Sequence, residues 1–399
     1  MKPTIFFKLS LMMFLQYFIW GAWYVTLGIY MTTFLGSSGT QIGAAYGALA
    51  VATMISPFFV GLVADKYFAS QKIMGVLHLI GGLLLFLATR IDSNSTFYWV
   101  VLFYSLLYMP TIALSNSVAF NQMTDPGKQF PWIRVFGTLG WIVAGLSIGM
   151  LSIEKTAATF YLATAISIFL GLICWFLPHT PPKGAKTSEA GSEALSTDSL
   201  VLLKNKPYLV FFIASILVCV PLSFYYSFAN VFLNDVGMDS PASKMVLGQM
   251  SEALFILAIP FLFYRIGVKN MILLGVGAWI LRYVFFAFGN MESQSWMLYA
   301  GIILHGICYD FFFVTGYMYT EKKANAKIKN AAQGLFTFAT YGLGMFFGTW
   351  FAGKTVDFYS VESIHDWKQI WFVPAYIGIA VVIYFILFFK EDRKIQTAE

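Results

Sequence analysis

Long, almost continuously apolar runs separated by short polar breaks dominate the chain. A helix needs roughly 20 residues to cross a bilayer core of about 30 Å, and twelve runs reach that length. They cover residues 9–34, 42–64, 72–90, 96–121, 133–152, 158–177, 208–233, 246–264, 270–289, 295–320, 330–352 and 370–389. The strands of a membrane barrel would instead alternate apolar and polar residues over short segments. The pattern predicts an all-α integral membrane protein with twelve transmembrane helices.

Polar residues divide these spans evenly. Residues 178–207 form a thirty-residue stretch rich in Ser, Thr, Pro, Gly and charge, with six spans on each side. It reads as a linker between a six-helix half at 1–177 and a second six-helix half at 208–399, which ends in a short tail. The halves echo each other. Pro57-Phe58 precedes the loop after span 2, and Pro260-Phe261 precedes the loop after span 8, 203 residues later. Six plus six spans with internal echoes mark a transporter built from repeats, its substrate cavity expected between the halves near mid-membrane.

Composition agrees with the pattern. Of 399 residues, 59% are hydrophobic and 11% charged, with a mean hydropathy of +0.72, whereas soluble domains carry about 25% charge. Too few polar side chains remain to cover a water-facing surface. A soluble enzyme, a disordered chain and a secreted disulfide scaffold are therefore excluded. The net charge of +6 would suggest nucleic acid as a partner for a soluble protein, but here the charges lie between the runs, so the partner is the lipid bilayer. Cys174, Cys219 and Cys308 fall inside apolar runs without paired spacing, which predicts neither a disulfide nor a metal site.

Lys and Arg distribution sets the orientation, because these residues are retained on the cytoplasmic side. With both termini inside, nineteen of the 25 fall at the cytoplasmic face. Arg90, Lys155, Lys244, Lys354 and Lys368 fall outside, and Arg282 sits within a span. Lys2 and Lys8 before Leu9–Phe34 resemble a signal peptide, but the run is too long and has no small-x-small cleavage site, so it is read as an uncleaved first span. The expected location is the bacterial cytoplasmic (inner) membrane.

Ionisable groups in hydrocarbon are costly unless paired or wet, so each marks a candidate site. Arg134, Thr138 and Trp141 share one face of span 5 at i, i+4, i+7. Ser223, Tyr226 and Asn230 do so in span 7, and Gln249 and Glu252 follow at i, i+3 in span 8. Span 10 carries His305 and Tyr309 at i, i+4, with Asp310 about 100° further round. Together they suit a wet cavity for a polar, ring-shaped solute. A carboxylate there takes a proton from outside and releases it inside, with Glu252 and Asp310 as the candidates. The bland alternatives are that Asp310 pairs with Arg282 of span 9, that Tyr226 and Tyr309 are packing, and that Arg134 belongs to the rim. His78 in span 3 has no polar neighbour at helical spacing and reads as a packed or water-bonded histidine.

The loop after span 2 contains Gly61-Leu-Val-Ala-Asp65-Lys66, which resembles the G-x-x-x-D-(R/K) signature of the major facilitator superfamily. The resemblance implies that superfamily's fold and a conformational latch at Gly61, Asp65 and Lys66, in which the aspartate pairs with basic residues and a helix end. Further stretches are Phe14-Leu-Gln16, Trp20-Gly21-Ala-Trp23, Thr26-Leu-Gly28-Ile-Tyr30-Met31, Tyr108-Met-Pro110-Thr111 and Phe130-Pro131-Trp-Ile-Arg134-Val-Phe-Gly137-Thr138. With Gln249-Met-Ser251-Glu252, Asp310-Phe-Phe and Glu321-Lys322 they run collinearly along nearly the whole chain and are similar to the nucleoside:proton symporter family. That resemblance implies a monomeric symporter with the proton as coupling ion and no other cofactor. Its nucleoside pocket would fall on Arg134, Thr138, Trp141, Ser223, Tyr226, Gln249, Glu252, His305, Tyr309 and Asp310. Ser223 and Tyr226 stand where family members carry amides, and His305 stands at the position of a tyrosine. Mechanism therefore carries over more directly than substrate identity, and a sugar or another metabolite remains the alternative cargo.

An exporter of the same fold is disfavoured by these polar faces. An intramembrane enzyme lacks a His/Glu zinc motif, a paired nucleophile and base, and a Gly-rich phosphate loop. A sensor would need an output domain, and thirty polar residues are too few to fold alone.

Overall fold

A computed structural model of the protein describes residues 1–59, 67–182, 197–325, 328–362 and 364–390. Gly61, Asp65 and Lys66 lie outside these described residues. Helices dominate. The first part contains α1 (Pro3–Tyr24), α2 (Leu27–Leu35), α3 (Gly39–Phe59), α4 (Ser70–Ala88), α5 (Asn94–Phe120), α6 (Pro126–Met150) and α7 (Ala158–Ile173). The second contains α8 (Lys206–Asp235), α9 (Pro241–Phe255), α10 (Ile259–Phe288), α11 (Ser295–Ile303), α12 (His305–Tyr309), α13 (Thr315–Lys323), α14 (Lys329–Thr337), α15 (Met345–Phe358) and α16 (Trp367–Phe388). Two π-helical turns, Asp310–Val314 and Phe338–Gly344, join α12 to α13 and α14 to α15. Among the described residues, ten helical stretches are long and apolar enough to cross a membrane.

Local chemistry sets many of the ends. Proline, whose missing N–H costs nothing in a first turn, opens α1, α6 and α9. Asp125, Asn205 and Asp366 cap α6, α8 and α16 by accepting the N–H of the third residue on, as short polar side chains do at helix starts. The hydropathy pattern misses these flanks, so the first helix begins at Pro3 and not at residue 9, and α9 begins at Pro241 and not at 246. Span 1 is also interrupted at Val25-Thr26. There the Tyr46 hydroxyl accepts from Gly28 N at 3.2 Å and donates to Tyr24 O at 2.8 Å, satisfying backbone groups that the break leaves free. Gly267, with φ of 77°, separates the end of span 8 from span 9, a backbone turn that a side chain would strain.

Two compact units result. The first is Met1–Ser37 with Ala44–Ser192, and the second is Ser38–Gly43 with Glu193–Glu399. In the second, the backbone N–H groups of Gly39 and Thr40 donate to Asp357 at 2.5 and 2.9 Å, which ties the Ser38–Gly43 segment into this unit.

Within the first unit a buried polar network links four helices. His78 Nε2 bonds Gln16 Oε1 at 2.8 Å, Gln16 Nε2 donates to Thr111 Oγ1 at 2.7 Å, and Ser167 donates to His78 O at 2.9 Å. Tyr108 closes the network by donating to Gln16 O at 2.5 Å. His78 is thus a hydrogen-bonded core histidine. Its partners come from other helices, which is why spacing along its own helix does not reveal them.

Candidate functional site

The candidate residues fall into two groups, one in each unit. In the first unit Arg134, Thr138 and Trp141 are half-buried along one face of α6, the face their spacing predicts. The Arg134 guanidinium lies 4.1 Å over the Tyr17 ring, a cation–π contact that holds the charge in place without neutralising it. Trp141 meets Trp20 edge to face at 5.6 Å and Tyr24 at 6.2 Å. Trp20 also meets Tyr108 at 6.0 Å. The polar network around Gln16 therefore fixes Tyr108, which supports Trp20, which in turn supports Trp141. The Nε1 donor of Trp20 is buried and has no partner among the described residues.

In the second unit the candidates converge where α9 crosses α11 and α12. The helix breaks at Leu304, and Ser251 Oγ serves both sides of the break, donating to Ile303 O at 2.7 Å and accepting from Gly306 N at 2.9 Å. Gly306 is required there, since a Cβ would lie 2.6 Å from the Ser251 carbonyl. This close crossing brings Glu252, one residue after Ser251, to His305, one residue before Gly306, with Oε2 and Nε2 3.8 Å apart. His305 is buried between two near-parallel rings, Tyr225 at 5.2 Å and Tyr309 at 5.6 Å. The Tyr226 ring stands edge-on at 6.3 Å. Gln249 and Glu252 are half-buried on the same side of α9. Glu252 is positioned to accept from a hydroxyl or an N–H, and Gln249 can both donate and accept.

Other candidates take different roles. The Ser223 hydroxyl donates to its own helix at Cys219 O, 2.7 Å away. The backbone carbonyl of Asn230 accepts from the Asn234 amide at 2.9 Å. Arg282 and Asp310 form no ion pair. Arg282 Nε donates to Gly301 O at 2.8 Å and its guanidinium lies 4.1 Å over Tyr225, on the stack that continues to His305. Both Arg282 Nη atoms and both Asp310 carboxylate oxygens are buried without a hydrogen-bonding partner among the described residues. Such atoms are costly, and ionisable groups buried in a span mark candidate sites.

The residue missed by the sequence reading is Tyr341, whose hydroxyl bonds that of Tyr309 and whose ring stacks on Phe313 at 5.4 Å. Asp310 and Tyr341 both lie in π-helical turns, which are frequent at functional sites. The extra residue per turn shifts the face that simple 3.6-residue spacing would assign.

Comparison with known proteins identifies the family and the fold. The sequence profile of the family described as nucleoside H+ symporter matches residues 3–394. The chain is 40% identical to YegT of Escherichia coli (strain K12), provisionally named a nucleoside transporter, over 100% of this chain and 96% of that protein. It is 35% identical to the xanthosine permease of the same organism, over 98% and 97% of the two chains. The crystal structure of the nucleoside transporter NupG superposes with a TM-score of 0.90 at 33% identity, covering 97% of this chain and 100% of that one. A bacterial homologue of the lysosomal transporter Spinster shares the fold at 13% identity and a TM-score of 0.72, covering 97% and 96% of the two chains. The chain is an integral membrane transporter of the twelve-helix major facilitator type, and it belongs to the nucleoside H+ symporter family.

Proposed function

We propose that the protein imports a nucleoside, or a closely related polar ring solute, together with protons across the bacterial cytoplasmic membrane, as a monomer with both termini inside. The observation that carries the reading is the Glu252–His305–Tyr309 cluster in a chain that matches the family along its whole length. A nucleoside offers hydroxyls and base edges for hydrogen bonds and a flat ring for stacking. Arg134, Gln249 and Glu252 supply the hydrogen bonds. Trp141 and Tyr309 supply the rings, with Thr138, Ser223, Tyr226 and His305 beside them.

Glu252 is half-buried and is the first carboxylate to receive the proton from outside, while the buried Asp310 receives it deeper in the membrane. Gly61, Asp65 and Lys66 act as the latch between conformations. The proton is the coupling ion and no further cofactor takes part.

Thermal stabilisation of the purified protein by a panel of nucleosides, nucleobases, sugars and small acids tests the substrate class, because a ligand that binds only the folded state raises its stability by mass action. Stabilisation by nucleosides that disappears in Arg134→Ala and Glu252→Gln supports the reading. Stabilisation by sugars with nucleosides silent overturns the nucleoside assignment.

A further inference from the structure

α13 and α14 run against each other, and their facing residues form a ladder that starts at the candidate site. Its first rung is the Tyr309–Tyr341 hydroxyl pair. Two helical turns further on, Tyr317 OH bonds Thr337 Oγ1 at 3.2 Å, and Gln333 Nε2 donates to the Tyr317 carbonyl at 3.0 Å. Glu321 and Lys329 close the ladder with an exposed ion pair at 3.1 Å. Tyr317, Gln333 and Thr337 are half-buried, so an aromatic ring, a hydroxyl and an amide stand between Tyr309 and the lysine-rich end, the end that the charge bias assigns to the cytoplasm.

We propose that Tyr317, Gln333 and Thr337 form a second binding station for the transported solute, about 12 Å along the helices from Tyr309, eight residues at 1.5 Å each. The amide of Gln333 is the anchor. Its nitrogen is held by the Tyr317 carbonyl, which fixes the side chain, while its Oε1 is buried without a partner among the described residues. This fixed acceptor sits on the same helix pair as the Tyr317 ring and the Thr337 hydroxyl. A solute rich in hydroxyl or N–H donors fills that acceptor as it passes, and the Tyr317 ring gives it a face to lie on. The station takes the same class of solute as the main site and rests on the nucleoside reading above.

The test separates binding from passage, in full-length protein. Gln333→Leu and Thr337→Val remove the polar atoms at nearly constant volume. Equilibrium binding of uridine and adenosine is measured by thermal stabilisation, and nucleoside exchange is measured in proteoliposomes. The expected result is binding within about twofold of wild type and exchange slowed about fivefold or more, the effect of losing one hydrogen bond along the path. Unchanged exchange in both variants overturns the station. A parallel fall in unliganded melting temperature, binding and exchange also overturns it, because it shows that these residues only hold the helices together. If wild-type protein binds no nucleoside, the substrate reading fails and takes the station's nucleoside assignment with it; wild-type exchange matched by both variants removes the station alone.

Discussion

His305 Nε2 stands 3.8 Å from Glu252 Oε2, at the one crossing of the second unit where Ser251 bonds both sides of a helix break. The backbone around this imidazole and carboxylate is pinned by hydrogen bonds and close packing. The geometry gives the carboxylate a fixed place, and the proposed function has it accept a substrate hydrogen bond and a proton there.

Replacing Glu252 with glutamine keeps the shape and a hydrogen-bonding oxygen but removes the titratable group. Glu252→Gln is expected to abolish concentrative uptake while leaving the melting temperature of the unliganded protein within a few degrees of wild type. Retained accumulation driven by a pH gradient would remove Glu252 from the coupling mechanism.

Packing and chemistry can be told apart at His305. His305→Ala opens a cavity between Tyr225 and Tyr309 and should destabilise the protein by about 3 kcal/mol, the low end of the range for emptying a buried aromatic position. His305→Phe restores a ring to the stack and most of the stability, yet should still bind nucleoside about tenfold more weakly, since the polar Nε2 that stands 3.8 Å from Glu252 is then gone. Thermal melts with and without ligand distinguish the two, and equal binding by wild type and His305→Phe would reduce the histidine to packing.

Arg134 is held by its cation–π contact with Tyr17. A lysine keeps the charge but not the planar fork, so Arg134→Lys should weaken nucleoside binding about tenfold and leave stability nearly unchanged. Equal affinity in calorimetric titrations would place Arg134 at the rim.

The close approach at Gly306 is a packing claim with a large predicted effect. Gly306→Val would drive a side chain into the Ser251 carbonyl, and overpacking of this kind costs about 1–3 kcal/mol. A lowered melting temperature together with lost uptake is the expected result; a stable, active variant would show that the crossing is looser than described.

Much of the fold is legible in the sequence because hydrocarbon imposes one rule, a long apolar helix, on every span. Where a helix depends on something other than hydropathy, that rule fails. α9 starts at Pro241 through chain chemistry, and span 1 breaks at Val25-Thr26 because Tyr46 can replace the lost backbone partners. The site is legible where residues share a regular helical face, as Arg134, Thr138 and Trp141 do. Arg282 and Asp310 lie on neighbouring spans, which suggests a pair, but Arg282 turns to Gly301 O and the Tyr225 ring instead. Gln333, Thr337 and Tyr341 follow one another at i, i+4 and i+8, so their shared face is visible in the sequence. The partner helix is not, and the π-helical turn that contains Tyr341 shifts the register that periodicity assumes.

The most direct test of the central claim is uptake of radiolabelled nucleoside into proteoliposomes holding the purified protein, with and without an inward proton gradient. Accumulation above the external concentration only when the gradient is present, and its loss in Glu252→Gln, is the predicted result. Equal uptake with the gradient collapsed, or accumulation that follows a sodium gradient instead, would contradict proton-coupled import.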